Sequence, residues 1–427
     1  MHDVMFYVAV AIFIGTYAMI MAEKMPRCYV SLVGGLIMIL TGFVTQKEAV
    51  TRFIDFNTIG LLIGMMIMIT IIRQSGIFEA TAVWAAKITK GKPKTLLVVL
   101  SIITAVASSV FDSVTAVLLL APMTISLSKR LKIRPYPFLI MEILISNIGG
   151  TALMVGNPPN VMIGSATGLS FNEFFLNLAP GVALTMLVIV PLLLIIYRKD
   201  LHGHASPEEL AKLNVRKEIR DMKLLKISLV ILGFTILGFV THSALGLESA
   251  TIAMTGAVVL LIISKASPVE AFGYVEWGTL FFFIGLFVLV GGIEAAGVIE
   301  FLAKEALMFT QGNLEATTFL ILWLAAIVSA FVDNIPFTAT MIPLIHEVQH
   351  LMGVHVDYLW WSLAMGACYG GNGTIIGASP NLIIAAIVAK EGYNISFMNY
   401  FKVGFPLMIV SVMVSHVYLY VRYFLLP

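Results

Sequence analysis

The chain has 427 residues, of which 59% are hydrophobic and only 12% charged, and its formal net charge is +2. An ordinary globular domain carries about 25% charged residues, so a mean hydropathy of +0.98 excludes a typical soluble enzyme, a disordered chain and a nucleic-acid-binding protein. Apolar runs of about 15–25 residues suit helices that cross ~30 Å of hydrocarbon, whereas barrel strands would alternate over about 10 residues. The composition therefore predicts an all-α polytopic membrane protein.

Ten apolar segments are predicted to cross the membrane as helices. In chain order they are residues 5–22, 28–44, 58–72, 138–168, 175–197, 224–243, 249–264, 278–297, 359–389 and 401–424. Two further apolar stretches, 95–128 and 317–345, are each too long for one span and carry polar residues in the middle. Each of these stretches could be two crossings, or a helical hairpin that enters and leaves the membrane on one side.

The distribution of basic residues favours the hairpin interpretation. Segment 198–223 holds seven lysines and arginines, which predicts a cytoplasmic location. Counting backwards with a hairpin puts segments 73–94 and 129–137 on the same side, and they hold five and four basic residues. Counting forwards puts segments 298–316 and 346–358 outside, with one basic residue and none. Since hairpin halves of 14–16 residues are short for a crossing, we predict two re-entrant hairpins and both termini outside.

The two halves of the sequence form an internal repeat. A shift of 221 residues superposes 55–168 on 276–389 without a gap. Polar residues and glycines coincide, which chance similarity between apolar helices would not produce. The coincident pairs include Asp112 with Asp333, Pro122 with Pro343, Gly149-Gly150 with Gly370-Gly371, and Pro159-Asn160 with Pro380-Asn381. Because the predicted helices 28–44 and 249–264 run in opposite directions, the repeat is inverted, and inverted repeats with interrupted helices are typical of secondary transporters.

The repeat predicts the organisation of the chain. An N-terminal repeat covers 1–197, a cytoplasmic linker covers 198–223, and a C-terminal repeat covers 224–427. Each repeat is expected to contain scaffold helices, then a re-entrant hairpin, then a broken helix. The expected scaffold helices lie within 5–72 and 224–297, the hairpins within 95–128 and 317–345, and the broken helices within 138–168 and 359–389.

Polar residues at the four breaks are the candidate binding groups. Proline and glycine interrupt the helical ladder and free backbone carbonyls, and these oxygens suit Na⁺, whereas helix N-termini suit anions. The alternative is that the prolines and glycines only kink helices. The candidate substrate- and ion-binding residues are Asp112, Ser113, Thr115, Asn147, Asn157, Pro159, Asn160, Asp333, Asn334, Thr338, Asn372, Thr374, Ser379 and Asn381.

Asp112 and Asp333 are the sharpest candidates among them. A carboxylate inside the membrane costs at least ~2.5–3.5 kcal/mol on insertion scales, and it usually marks an ion pathway or a proton relay. The alternative is a structural aspartate that caps the second helix of the hairpin. Glu142 is a third candidate for proton coupling, because it could face the cavity, although it could also reach the cytoplasmic edge. A Na⁺ site is expected at Asp112, Asn157, Asp333 and Ser379.

The motifs at the breaks resemble a known superfamily. FVDNIPFTATMIPL (331–344), GACYGGNGTIIGASPNL (366–382) and SNIGGTALMVGNPPNVMI (146–163) are similar to the P protein group of the ion-transporter superfamily. That group joins the ArsB arsenite permeases and the NhaD sodium/proton antiporters and, more distantly, the divalent-anion/sodium symporters. The resemblance covers nearly the whole chain. The short central loop of the chain is typical of a prokaryotic member of the group, which would lie in the plasma (inner) membrane.

The resemblance implies a fold and a mechanism. It implies a scaffold domain that forms a homodimer, and a transport domain of hairpins and broken helices that moves in an elevator-like way. In the symporters the hairpin tips and unwound loops hold sodium and substrate. The matching residues are Asp112, Ser113 and Thr115 at one tip, Asp333, Asn334 and Thr338 at the other, and the loops 157–160 and 379–381. The chain departs from both groups. The symporter tips read Ser-Asn-Thr and are neutral, whereas both tips here carry aspartate. P-protein loops read Gly-Asp-Pro-Pro-Asn, whereas this chain has Asn157 in place of that aspartate.

The sequence favours sodium/proton antiport by alternating access. Two carboxylates near one site disfavour a multiply charged anion, and no Lys or Arg is expected near a break to clamp a carboxylate. The alternatives are an arsenite or other anion efflux permease, a sodium-coupled organic-anion transporter of the citrate or dicarboxylate type, and an anion channel. No P-loop, nucleophile–base pair or metal-ligand set points to an enzyme. The expected partners are the lipid bilayer, small ions or a small anionic substrate, and a second copy of the chain, with Na⁺ and H⁺ as coupling ions, no other cofactor and no nucleic acid.

Overall fold

The computed structural model describes residues 2–22, 24–202, 207–392 and 395–425, which form helices and connecting turns with no strand among them. Eighteen of the described helices have ten or more residues, and they divide into two sets of nine. The first set is α1 (His2–Met21), α2 (Arg27–Leu40), α3 (Phe56–Gln74), α4 (Ile77–Ile88), α5 (Pro93–Phe111), α6 (Ser113–Leu131), α7 (Tyr136–Gly150), α8 (Pro158–Thr167) and α9 (Phe171–Ile196).

The second set repeats the first in the same order. It is α10 (Met222–Leu245), α11 (Ser249–Ser264), α12 (Trp277–Ala295), α13 (Val298–Thr310), α14 (Leu314–Ser329), α15 (Asn334–Met352), α16 (Tyr358–Gly370), α17 (Ser379–Lys390) and α18 (Phe397–Tyr420). Shorter helical pieces are Gln46–Glu48, Pro207–Lys212, Val215–Glu218 and Pro268–Gly273, with π-helical turns at Ala49–Phe53 and Val421–Leu425.

The packing of the helices follows the two inverted repeats. Helix α2 packs against α12 of the other repeat, and its counterpart α11 packs against α3. Within each repeat the first hairpin helix packs against the first half of the broken helix, α5 on α7 and α14 on α16. We call α1–α3 and α10–α12 the paired helices, and α5–α9 and α14–α18 the hairpin bundle.

The all-α membrane fold predicted from composition is confirmed. Eight described helices are long and apolar enough to cross a membrane, and two of them are the hairpin helices α5 and α6. Each of these two has 19 residues, so the expected halves of 14–16 residues were too short. The hairpin helices extend past the apolar stretch into its polar flanks, since α5 begins at Pro93 and α6 continues through Lys129 and Arg130.

Two segments that the sequence presented as loops are largely helical. Helix α4 lies within 73–94, and α13 lies within 298–316. Both are amphipathic, and each follows a glycine in the left-handed region, Gly76 with φ 82° and Gly297 with φ 78°. A residue with a Cβ rarely adopts that backbone conformation, so these glycines permit the sharp entry into each helix. The predicted crossing 28–44 is also shorter than expected, because α2 ends at Leu40.

The hairpin tips lie where the sequence predicted the breaks. The first tip is a single residue, Asp112, with φ 71° and ψ 153°, between the end of α5 and the start of α6. At the second tip α14 ends at Ser329 and α15 begins at Asn334. Both aspartates accept hydrogen bonds from backbone amides of the following helix, so they are N-caps of α6 and α15.

The central linker lies against the end of the first hairpin. Three ion pairs join the basic end of α6 and the turn after it to the linker region: Arg130–Glu218 at 2.8 Å, Lys132–Glu209 at 2.5 Å and Arg134–Asp200 at 2.7 Å. A fourth pair, Arg220–Glu79 at 2.9 Å, joins the linker to α4. Exposed pairs contribute only about 0–1 kcal/mol each, so the linker is held in place by several weak contacts.

The close approach of α3 and α11 generates a first prediction. A Cβ added to Gly64 would lie 2.6 Å from the Ala253 carbonyl carbon, whereas one added to Gly233 of α10 would meet nothing within 4 Å. We expect Gly64→Ala to destabilise the protein by about 1–3 kcal/mol through overpacking, seen as a lower melting temperature in detergent. The control Gly233→Ala should keep or raise it, because alanine is the better helix former. Equal melting temperatures for the two variants would contradict the close packing.

The orientation of the chain gives a second prediction. Lys87 on α4 and Lys304 on α13 are both exposed, and the positive-inside rule places them on opposite sides of the membrane. In a background with Cys28 and Cys368 replaced by alanine, Lys87→Cys should react with an impermeant maleimide from the cytoplasmic side and Lys304→Cys from the outside. Labelling after permeabilisation is the control for reactivity. Reaction of both cysteines from one side would exclude the re-entrant topology.

Candidate functional site

The breaks of both repeats meet at one cavity of about 420 Å³ between the paired helices and the hairpin bundle. Asp112 and Pro158 reach it from the first repeat, and Ser379 reaches it from the second. The paired helices contribute Arg27, at the start of α2, and Glu276, just before α12. The cavity is therefore lined both by the paired helices and by the hairpin bundle.

Asp112 faces this cavity while it caps its own helix. One carboxylate oxygen accepts the amides of Val114 at 2.7 Å and Thr115 at 3.5 Å, and the other accepts the Thr115 hydroxyl at 2.7 Å. The side chain of Thr115 thereby orients the carboxylate, and Thr115 also lines a smaller neighbouring cavity. Capping and exposure to the cavity coexist at this residue, so the two interpretations drawn from sequence are not exclusive.

Asp333 has a cationic partner, contrary to expectation. Its Oδ2 atom lies 2.5 Å from Nη1 of Arg27 and accepts the hydroxyl of Ser379 at 3.0 Å. Arg27 also donates to Ser379 Oγ at 3.2 Å. The prediction that no Lys or Arg lies near a break was wrong, because Arg27 is distant in sequence from every break and only the tertiary packing of α2 brings it to the second tip.

A tyrosine of α1 also contacts the second tip. The hydroxyl of Tyr17 lies 2.6 Å from the Pro336 carbonyl and 2.7 Å from the Thr340 hydroxyl, both in the first turns of α15. Together with Arg27, it attaches the second tip to the paired helices. The hydrogen bonds recorded for the carboxylate of Asp112 all come from its own helix, so the two tips differ in how they meet the paired helices.

Asparagines tie the two broken helices together. The amide of Asn147 donates to the Oδ1 atoms of Asn372 at 2.8 Å and Asn381 at 3.1 Å. Asn372 donates back to the Leu144 carbonyl at 3.0 Å. All three asparagines are fully buried. We call Asn147, Asn372 and Asn381, with the first-repeat residues Asn157 and Asn160, the asparagine cluster.

The cluster also satisfies the freed backbone of each loop. Asn160 donates to the carbonyls of Thr151 at 3.0 Å and Leu153 at 2.9 Å. Its repeat counterpart Asn381 donates to those of Gly371 at 2.7 Å and Thr374 at 2.9 Å. The unwound loops are therefore held in one conformation by equivalent side chains.

Two acceptor oxygens in the cluster lack a hydrogen-bond partner among the described residues. They are the buried Oδ1 atoms of Asn147 and Asn157. The amide of Asn157 donates to the Asn147 carbonyl at 3.1 Å. Because a buried unsatisfied oxygen costs about 1–3 kcal/mol, these atoms are the kind of donor set that a small hard cation would satisfy.

The remaining predicted residues are buried near the tips and loops but do not line the cavity. The Thr338 hydroxyl donates to the Asn334 carbonyl at 2.8 Å, and that of Thr374 donates to the Ala330 carbonyl. The others are Ser113 and Pro159, both buried. Of the four residues expected to hold Na⁺, Asp112 and Ser379 line the cavity, Asp333 bonds to Ser379, and Asn157 lies in the asparagine cluster.

Glu142 occupies neither position considered for it from the sequence. It is 1% exposed on α7, so it does not reach an aqueous edge, and it is not among the residues that line the cavity. One carboxyl oxygen accepts the Thr124 hydroxyl of α6, and the other has no partner among the described residues. It lies inside the hairpin bundle.

Sequence reasoning missed three residues at the site, namely Arg27, Tyr17 and Glu276. For Glu276 a signal was available, since the 221-residue shift pairs it with Asp55, and both acids precede a paired helix, α12 and α3. For Arg27 and Tyr17 the contacts span more than 300 residues of sequence, and no local pattern marks them. Among the described residues no group of three or more His, Cys, Asp and Glu side chains is placed to hold a metal.

Two further cavities lie between the central cavity and the central linker. A second cavity, of about 90 Å³, shares the lining residues Met66 and Glu276 with the central cavity. A third cavity, of about 240 Å³, shares the lining residue Arg73 with the second cavity. The third cavity is also lined by Glu218 of the linker. A fourth cavity of about 380 Å³ lies along α15, and it shares no lining residue with the central one. The lining residues of the first three cavities therefore follow one another from the central cavity to the linker.

Comparison with known proteins gives consistent matches. A family model described as citrate transporter (CitMHS) matches residues 17–366. An uncharacterized transporter of Mycobacterium tuberculosis is 39% identical over 429 residues, which are 98% of this chain and 99% of the relative. The P protein of Homo sapiens is 33% identical over 500 residues, covering 97% of this chain and 60% of the relative.

A solved structure has the same fold. The crystal structure of the YdaH transporter of Alcanivorax borkumensis, described as having an unusual topology, matches with a TM-score of 0.60. The match covers 92% of this chain and 96% of that one, at 13% sequence identity. At this identity the likeness concerns the fold alone.

The asparagine cluster generates a third prediction. Asn147→Ala removes the donor shared by two buried acceptors, and each unsatisfied group costs about 1–3 kcal/mol. We expect a clear drop in melting temperature in detergent. The matched control is Asn399→Ala, since that side chain is exposed and should be nearly neutral. A melting temperature unchanged by Asn147→Ala would mean that the cluster does not hold the loops.

Proposed function

This chain belongs to the citrate transporter (CitMHS) family and is a membrane transporter, and we propose that it exchanges Na⁺ for protons by alternating access. The P protein is also a relative of this chain. We place the site of exchange at the central cavity, with Asp112 as the group that binds the cation and the proton in turn.

The geometry of Asp112 is the observation that carries this proposal. Its carboxylate is held by amides and a hydroxyl of α6, so it stays at the cavity without a guanidinium partner in the described hydrogen bonds. A carboxyl group that accepts a proton or a cation at one position makes the two mutually exclusive, and exclusive binding is what an exchanger requires. Such groups in membrane interiors usually mark ion or proton pathways.

The charges around the cavity support a cationic substrate. Asp112 and Glu276 line it, and Asp333 pairs with the lining residue Arg27. Three carboxyl groups therefore accompany one guanidinium among the described residues of the site. Carboxylate, hydroxyl and carbonyl oxygens are the ligands that hard cations prefer, and surplus negative charge raises the cost of a multiply charged anion.

We further propose that the hairpin bundle moves as a transport domain against the paired helices, which form a dimeric scaffold. The asparagine cluster supports this, because it joins the broken helices of both repeats into one unit. The linker would lie in the cytoplasm, as the basic residues of 198–223 indicate. The transporter would lie in the plasma membrane of a prokaryotic cell, in keeping with its mycobacterial relatives.

A second candidate function is sodium-coupled transport of an organic anion. Arg27 is the observation that favours it, since a guanidinium in the cavity lining can bind a carboxylate. The description of the matching family as citrate transporters agrees with this candidate.

Asp112→Asn tests the proposed function. The asparagine can still accept the backbone amides of α6, but the titratable group is gone. In proteoliposomes with an imposed pH gradient, we expect Na⁺ flux to fall by about tenfold or more and to lose its dependence on pH, because the exchanging carboxyl is removed. The flux panel should include Li⁺, arsenite, citrate and chloride.

The matched control is Asp221→Asn, because Asp221 is also a helix N-cap and accepts the amides of Lys223 and Leu224 at 2.8 and 2.9 Å. Asp221 is exposed in the linker region, away from the cavity, so the Na⁺ flux of Asp221→Asn should stay at the wild-type level. If Asp112→Asn exchanges Na⁺ with an unchanged pH profile, the aspartate is only a cap. Citrate uptake driven by Na⁺ alone would then favour the second candidate.

A further inference from the structure

One ion pair crosses from the paired helices to the hairpin bundle at the site. Arg27 belongs to α2, and Asp333 caps α15 at the second tip, with 2.5 Å between Nη1 and Oδ2. The aspartate side chain is 5% exposed and that of the arginine 27%. Because the carboxylate is nearly buried, losing its cation would leave an uncompensated charge in a poorly solvated place.

The packing of the paired helices identifies the inverted counterpart of Arg27. Gly285 of α12 lies against the backbone of Ser31 in α2, and its repeat counterpart Gly64 lies against the backbone of Ala253 in α11. The two contacts align Ser31 with Ala253. Counting back four residues from each aligns Arg27 with Ser249, the first residue of α11.

The counterpart is a neutral residue. Ser249 is buried, and its hydroxyl lies 3.9 Å from the sulfur of Met154 in the first unwound loop. Arg27 likewise contacts Ser379 of the second loop. The two positions thus face equivalent loops of the two repeats, but only one of them carries a positive charge.

In inverted-repeat transporters the two access states are related by motion of one unit against the other about the site. In this structure the row of cavities runs from the site to the linker, and we call this the linker-facing state; the second tip is attached to α2 through Arg27 and to α1 through Tyr17. If the repeats exchange roles in the opposite state, the first tip would lie against α11 and the second tip would leave α2. Asp112 would then face the neutral Ser249, and Asp333 would lose Arg27.

We propose that Arg27 is an internal counter-cation that occupies Asp333 only in the linker-facing state and thereby displaces the transported cation from it. The inference rests on the proposed function and adds the coupling device to it. On the linker side the guanidinium competes with Na⁺ for Asp333 and favours release. On the other side Asp333 lacks that partner and requires a Na⁺ or a proton, so the bundle moves back only when one is bound.

The test is Na⁺ binding to the intact protein in detergent, measured as the Na⁺ concentration that gives a half-maximal rise in melting temperature. For Arg27→Gln we expect the apparent affinity for Na⁺ to rise by about tenfold or more, because the competing charge is gone. Turnover of Na⁺ in proteoliposomes should fall, since release becomes slow. A residue with only a structural role would lower the melting temperature without raising the affinity.

Two variants accompany it. Arg27→Lys keeps the positive charge but loses the guanidinium fork, so we expect its affinity for Na⁺ to rise by only about threefold. If Arg27→Gln does not fold, this second variant still tests the proposal. Arg52→Gln is the matched control, because Arg52, in the π-helical turn Ala49–Phe53, pairs with Glu294 of α12 at 2.7 Å. It does not line the central cavity, so this substitution should leave the affinity for Na⁺ unchanged.

The outcomes separate this inference from the proposed function. Unchanged Na⁺ affinity in both Arg27 variants, in a protein that still exchanges Na⁺ for protons, would overturn the counter-cation and leave the proposed function standing. Failure of the wild type to bind Na⁺, with citrate binding that weakens about tenfold in Arg27→Gln because a carboxylate clamp is lost, would overturn both. Raised Na⁺ affinity in Arg27→Gln supports the inference.

Discussion

Hydrocarbon offers no hydrogen bonds, so every backbone group freed at a helix break must find a partner inside the protein. Four breaks meet near the centre of this molecule, and buried asparagines supply the donors for the carbonyls of both unwound loops. Asn147 of α7 then joins the two broken helices directly through Asn372 and Asn381. These buried hydrogen bonds hold the unwound loops in one conformation and join the broken helices of the two repeats into one bundle.

The two repeats are alike in the order of their helices and unlike at their tips. Both tips carry an aspartate that caps the following helix, and in the part of the chain that the structure describes Asp333 is paired with the guanidinium of Arg27, whereas the hydrogen bonds to Asp112 come from its own helix. The two tips therefore share a capping aspartate but differ in backbone conformation and in charge environment. If both tips bind cations, this difference would give the two access states different energies of ion binding, and a ligand can shift a conformational equilibrium only through such a difference.

Much of the fold was predictable, because the breaks follow from local chemistry. Asp112, Pro158 and Pro380 are residue types favoured at helix starts, and the 221-residue shift gives each of them a counterpart in the other repeat. The hairpin helices were predicted too short, because hydropathy falls at Lys129 while the helix continues. The partners of the tips could not be predicted, since Arg27 and Tyr17 reach α15 across more than 300 residues. Glu142 shows the same limit, because α7 turns it toward Thr124 of a neighbouring helix and no periodicity in a uniformly apolar segment marks that direction.

The tie between the broken helices also bears on stoichiometry. Because Asn147 of one repeat holds Asn372 and Asn381 of the other, the loops next to Asp112 and Asp333 cannot separate without breaking buried hydrogen bonds. If the hairpin bundle moves as proposed above, it would carry the occupants of both tips in a single step. The exchange ratio would then be a property of the folded bundle, set by how many charges the two tips require, and it would stay constant when ion gradients change the speed or the direction of transport.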